Sequence, residues 1–164
     1  MNAKDSIKTT LGMGENLLNA FLADLTDADL LVRPVPGANH TAWQLGHLIS
    51  GEVSILSGNL PGARYPELPA GFHEQHDKAT AGIDPPRCFS SKQQYLDLFQ
   101  KVRGATLSAI NNLSEVDLDR PTSGPLTEIA PTLGALLLLA ANHVLMHAGQ
   151  FTVVRRVLGK PHVM

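Results

Sequence analysis

Residues 132 to 158 leave this chain few ways to fold. Leu133 to Ala141 is almost wholly apolar, and Asn142, His143 and His147 then interrupt a run that continues through Val144, Leu145 and Met146. Gly159 fits a C-terminal cap and Pro161 forbids continuation, so the segment reads as one long helix from Thr132 to about Leu158. Its most apolar part covers about half of the ~20 residues that a bilayer span needs. A helix this apolar must be covered by other elements of a folded domain. The expectation is a buried core helix in a cytoplasmic protein with no membrane partner.

Three further segments supply the cover. From Ser6 to Ala23, Leu11, Leu17, Leu18, Phe21 and Leu22 recur at helical spacing. From Thr41 to Gly58 the set is Trp43, Leu45, Leu48, Ile49, Val53 and Leu56. The third begins near Ser90 or Ser91, with Tyr95, Leu96, Phe99, Val102, Leu107 and Ile110 as its apolar set. Ser90 with Gln93, or Ser91 with Gln94, would form a capping box. No segment alternates apolar and polar residues between hairpin turns, so strands are not expected.

Two hexapeptides repeat. Leu25-Thr26-Asp27-Ala28-Asp29-Leu30 precedes Arg33-Pro34, and 88 residues on, Leu113-Ser114-Glu115-Val116-Asp117-Leu118 precedes Arg120-Pro121. Each places Ser or Thr three residues before Asp, the start of a short capped helical turn. Each also joins one long helix to the next. The pattern is helix–turn–helix, long crossover, helix–turn–helix. It predicts one all-α domain over residues 1–164, a four-helix bundle with a long crossover between helices two and three. The crossover, about Leu60 to Phe89, is rich in Pro and Gly and far longer than an ordinary connection.

Composition narrows the function. The 164 residues are 43% apolar and 17% charged with a formal charge of −2, and no basic stripe suggests nucleic acid as a partner. Cys88 is the single cysteine, which points to a reducing compartment. Met1 to Lys8 is polar and lacks the apolar run of a signal peptide.

Histidine placement carries the chemistry. His143 and His147 are four apart, one above the other on a helix face. Val144 follows His143 where the zinc-protease motif requires Glu, so a thermolysin-like peptidase is not expected. Two imidazoles within so apolar a helix each need partners for both nitrogens, and a metal supplies one. His47, in the apolar setting Leu45-Gly46-His47-Leu48-Ile49, is the candidate third ligand, with Gly46 allowing close approach of a neighbouring helix. Three imidazoles leave an open coordination position, the pattern of catalytic rather than structural sites. They suit zinc, nickel, copper and iron alike. Gln150 shares the face of His147 and Gln44 that of His47. His40 reads as a helix-capping or turn residue. His73-Glu74-Gln75-His76-Asp77 reads as a solvated loop or, with His76, as part of a substrate-facing lid. Glu52, five residues past His47, points away from the ligand face.

At these residues the sequence resembles the DinB superfamily of metalloenzyme-like proteins. The matching pieces are Asn39-His40-Thr41-Ala42-Trp43-Gln44-Leu45-Gly46-His47-Leu48, His143-x-x-x-His147-Ala148-Gly149-Gln150, the tail Arg155 to Pro161 and the two repeated turns. The resemblance implies a four-helix bundle, commonly a homodimer, that holds one divalent metal, zinc or nickel, on His47, His143 and His147. Some members of that family are thiol S-transferases or isomerases that use low-molecular-weight thiols. The expectation for function is therefore a metal-dependent transferase or hydrolase, with Gln150, His40, Gln44 and His76 beside the metal or facing substrate. Its alternative is a non-catalytic metal-binding, stress-response or interaction bundle.

Overall fold

The computed structural model describes residues 1–87 and 89–163. Cys88 lies outside the described residues. Within them the chain is all-helical, with no strand. Four long helices, α1 (Ala3–Leu22), α2 (Thr41–Leu56), α4 (Lys92–Asn111) and α5 (Leu133–Val157), are joined by short 3-10 turns and, between α2 and α4, by the long connection of residues 57–91. That connection is not wholly irregular. It carries α3 (Phe72–Gln75) and a 3-10 turn at Lys78–Thr80.

Local chemistry sets the helix ends. Asn2 accepts from Asp5 N and starts α1 three residues earlier than the apolar periodicity suggests. His40 Nδ1 accepts from Trp43 N at 3.2 Å and caps α2. Of the two candidate capping boxes, Ser91 with Gln94 forms, each side chain bonding the other's backbone N–H. Thr132 caps α5, and Gly159 turns the chain away at φ +66°.

Helix α5 is the hub. It packs against both α1 and α2, and α2 in turn packs on α4. Taken whole, α5 has the length and composition to cross a membrane, but Leu136, Leu137, Ala140, Val144, Ala148 and Phe151 are buried within the protein. The core falls into two clusters. One gathers Leu18, Leu22, Leu45, Leu48, Phe99, Val144 and Phe151. The other gathers Ile7, Leu11, Leu56, Ile110, Leu133 and Leu137. Between them along α2 and α4 lies a buried ion pair. Glu52 and Arg103 are 3% and 1% exposed, with Nη2 and Oε2 2.7 Å apart. Thr106 Oγ1 donates to Glu52 Oε1 at 2.6 Å and lies 3.1 Å from the Tyr65 hydroxyl. Burial pushes the Glu52 carboxyl pKa up, and the guanidinium and the Thr106 hydroxyl pull it back.

The repeated hexapeptides recur as equivalent bonds. Thr26 N donates to Asp29 Oδ2 at 2.8 Å, and Ser114 N donates to Asp117 Oδ2 at 2.7 Å. Lys92 Nζ reaches Leu25 O at 2.5 Å, while Lys4 Nζ reaches Leu113 O at 2.7 Å. Lys92 N donates to Asp27 Oδ1 at 2.6 Å, and Lys4 N to Glu115 Oε1 at 3.3 Å. Every residue in one set lies 88 positions from its counterpart. Each turn is therefore closed by the first residues of the other half's leading helix.

Arg103→Met leaves Glu52 buried without its countercharge and is expected to cost about 3–5 kcal/mol of stability, read from urea unfolding. The double variant Glu52→Leu with Arg103→Met recovers most of that loss, because no uncompensated charge remains.

Candidate metal centre

His143 and His147 stand one turn apart on α5, and their Nε2 atoms are 3.2 Å apart. Two nitrogens bound to one tetrahedral zinc at 2.0–2.1 Å stand about 3.3 Å from each other. The pair therefore has the bite of two ligands on one ion. His47 completes the cluster from α2, and ligand atoms of all three lie within 4.8 Å of one another. Its ring meets His143 at 5.1 Å and His147 at 5.4 Å between centroids.

The surrounding hydrogen bonds turn these rings the right way. Gln44 Nε2 donates to Asn39 O at 2.9 Å, which leaves Oε1 to face His147 Nδ1 at 2.8 Å. An amide oxygen only accepts, so His147 Nδ1 carries the proton and Nε2 offers its lone pair to the cluster. The same logic applies to His47. Its Nδ1 lies 3.3 Å from the His76 carbonyl, so that nitrogen donates and Nε2 is bare. Trp43 stacks on His47 at 4.7 Å and 10°, fixing the plane of the ring. Outer hydrogen bonds of this kind hold ligating imidazoles in the tautomer a metal needs.

Electrostatics favour the neutral, ligating form. Burial, then the neighbouring imidazoles, takes the His147 pKa down to about 3. Burial and His47 take His143 down to about 4. His47 is lowered chiefly by burial. Each ring is unprotonated near neutrality, so no proton must leave before a metal binds.

The crossover differs most from expectation. His76 does not sit in a solvated loop. The side chain is fully buried (0% exposed), with Nδ1 2.7 Å from Phe72 O and Nε2 2.9 Å from the Tyr95 hydroxyl. It fills the notch at Gly46, where a Cβ would overlap the imidazole. Gly46 thus admits a crossover side chain rather than a neighbouring helix. Trp43 Nε1 donates to Thr80 Oγ1 at 3.1 Å and to Asp77 O at 3.3 Å. Further along, Arg33 Nε meets Asp84 Oδ1 at 2.9 Å. The segment is fastened to α2 at two places and to the connection before α2 at a third.

Of the other candidates, Gln44 touches His147 directly and His40 is a buried helix cap. Gln150 is exposed one turn beyond His147 and makes no hydrogen bond to the three imidazoles. The Glu52 oxygens are taken by Arg103 and Thr106. Sequence reasoning missed Trp43, Asn39 and Tyr95 as supports. Their roles rest on which atoms meet, for Trp43 and Tyr95 between elements far apart in sequence, and spacing along one helix does not encode that.

A sequence model described as the DinB superfamily matches residues 11–151. No curated protein matches the chain. Among solved structures, the crystal structure of the conserved protein of locus from Enterococcus faecalis is similar, with a TM-score of 0.71 and 21% identity over 98% of this chain and 99% of that one. At that identity the likeness concerns the fold.

Removing the acceptor for His147 Nδ1 should loosen the site. Gln44→Ala is expected to weaken zinc binding by about 10–100-fold in competition with a chelating dye, while Gln150→Ala leaves it unchanged. Acid should act on the metal-free protein. Its folded imidazoles stay neutral while unfolded ones protonate below their ordinary value of 6.5, so the unfolded chain binds more protons as pH falls from 6.5 toward about 4. The urea midpoint in EDTA is expected to drop between about pH 7 and pH 5, and a level profile would contradict neutral burial of the three rings.

Proposed function

The chain belongs to the DinB superfamily, and from that premise we propose that it is a divalent-metal-dependent enzyme that activates a thiol for group transfer, with hydrolysis as the related reaction. The observation that carries the proposal is the 3.2 Å approach of His143 Nε2 and His147 Nε2, with His47 closing the cluster from α2. Three imidazoles would hold one ion, with zinc or nickel as the metal, and leave a position for an exogenous ligand. When bound, the ion supplies Lewis acidity that lowers the pKa of a thiol or water placed on it.

The residues of the chain then have distinct tasks. Gln44 and the His76 carbonyl hold the Nδ1 protons of His147 and His47, so neither ring can turn its lone pair away. Trp43 covers one face of His47 and keeps bulk water from it. No carboxylate joins the cluster among the described residues, and Glu52 is committed to Arg103. Metal-bound water reaches a pKa of only about 7, whereas a thiol starts far more acidic and is ionised outright on a metal, so the lack of a carboxylate base costs a thiol less. That difference supports thiol activation over hydrolysis. In the same reading the four long helices form a four-helix bundle, and residues 57–91 are the crossover that braces the site.

Metal content by mass spectrometry on untagged protein tests the reading. About one equivalent is expected in the wild type, and none in His143→Ala. Absence of metal in both, even after incubation with zinc or nickel, would end the enzyme and metal-binding readings together.

A further inference from the structure

A cleft lies further along α2 and α5, the pair of helices that carries the histidine cluster. It has a volume of about 380 Å³, and its lining includes Ser54, Ser57, Asn59, Ser123, Leu126 and Leu136. Its position relative to the imidazoles follows from helix geometry. Ser54 is seven residues beyond His47 on α2, and Leu136 is seven residues before His143 on α5. Seven residues are nearly two turns, so both cleft residues return to the face of their histidine, about 10 Å along the axis. Both helices give the same displacement. Gly51 lies between the two places and lets the His143 ring lie close over α2, since a Cβ there would come within 3.3 Å of His143 Cε1.

The cleft is built rather than incidental. Asn59 clamps the loop opposite, its Oδ1 accepting from Ser123 N at 2.9 Å and its Nδ2 donating to Ser123 O at 3.2 Å. Thr122 N donates to Pro131 O at 3.0 Å and closes the base of that loop. The volume is that of a small-molecule site. No lining residue carries a charge; Ser54, Ser57 and Ser123 are hydroxyl-bearing members of the lining, and Leu126 and Leu136 apolar ones.

We propose that this cleft is the subsite for the body of the substrate: an uncharged, hydroxyl- or ether-bearing group tethered about 10 Å from the sulfur or other donor atom that meets the metal. The assignment rests on the metal-dependent reading above. It adds a length and a polarity to the substrate. A charged tail would lose hydration here with no countercharge to meet it, so the subsite selects against anions and cations. A short donor reaches the histidine cluster but not the cleft.

Cobalt-loaded full-length protein reads both places, because thiolate binding to cobalt adds a charge-transfer absorption. Two probes suffice: 2-mercaptoethanol, and a thiol ending in tri(ethylene glycol). In each case a sulfur–cobalt bond forms and the thiol proton passes to buffer. The long thiol is expected to bind at least about tenfold tighter in the wild type. Ser54→Trp, which fills the cleft from an exposed position, abolishes that preference while metal content and 2-mercaptoethanol binding stay as they were. Gln100→Trp, with the same bulk on α4, keeps the preference. Equal affinity of the two thiols in the wild type, or a preference that survives Ser54→Trp, overturns the subsite and leaves the metal centre intact. If neither thiol changes the cobalt spectrum, the open coordination position fails and the subsite with it.

Discussion

Burying α5 is the constraint from which the rest follows. Its apolar residues need neighbours on more than one side, and α1 and α2 provide them. Once α2 lies along α5, the two histidines of one helix stand beside the single histidine of the other. The same packing that removes leucine from water also removes the imidazoles, which lowers their basicity. Core formation and ligand preparation are thus one event. The cost of hiding the polar rings in that core is partly offset by the partners that His147 Nδ1 and His47 Nδ1 find.

Those partners come from far along the chain. Gln44 and His147 are 103 residues apart in sequence, yet share a 2.8 Å bond. His47 borrows a carbonyl from the crossover, and the crossover is held there because His76 is seated against Gly46 and bonded to Tyr95 on α4. A histidine of the cluster on α2 is therefore oriented by the crossover, a segment far from it in sequence. Loops of this length in compact domains commonly serve a site, and here the contact is identifiable atom by atom.

The sequence made some of this legible and hid the rest for physical reasons. Helical periodicity located all four long helices, because apolar spacing at 3.6 residues reports burial directly. It missed the start of α1, where Asn2 rather than a leucine decides the end. The clustering of the three histidines was legible because two of them share one helix turn and the third has an apolar setting. The seating of His76 was not, since a Pro- and Gly-rich stretch carries no periodicity from which to read direction. The roles of Gln44 and Trp43 depend on which atoms meet across helices, and spacing along one helix does not encode that.

The reciprocal closure of the two repeated turns has a consequence for assembly. Lys4 and Glu115 tie the start of the first half to the turn of the second, and Lys92 and Asp27 do the reverse. Each turn makes its own Ser/Thr–Asp bonds, but its remaining bonds come from the other half. Each half thus supplies part of the template on which the other's turn is completed. The 57–91 connection then acts as a leash that sets their effective concentration. The boundary between the halves inherits this origin. It is a seam between two pieces of one molecule, and both the histidine cluster and the cleft beside it lie along that seam.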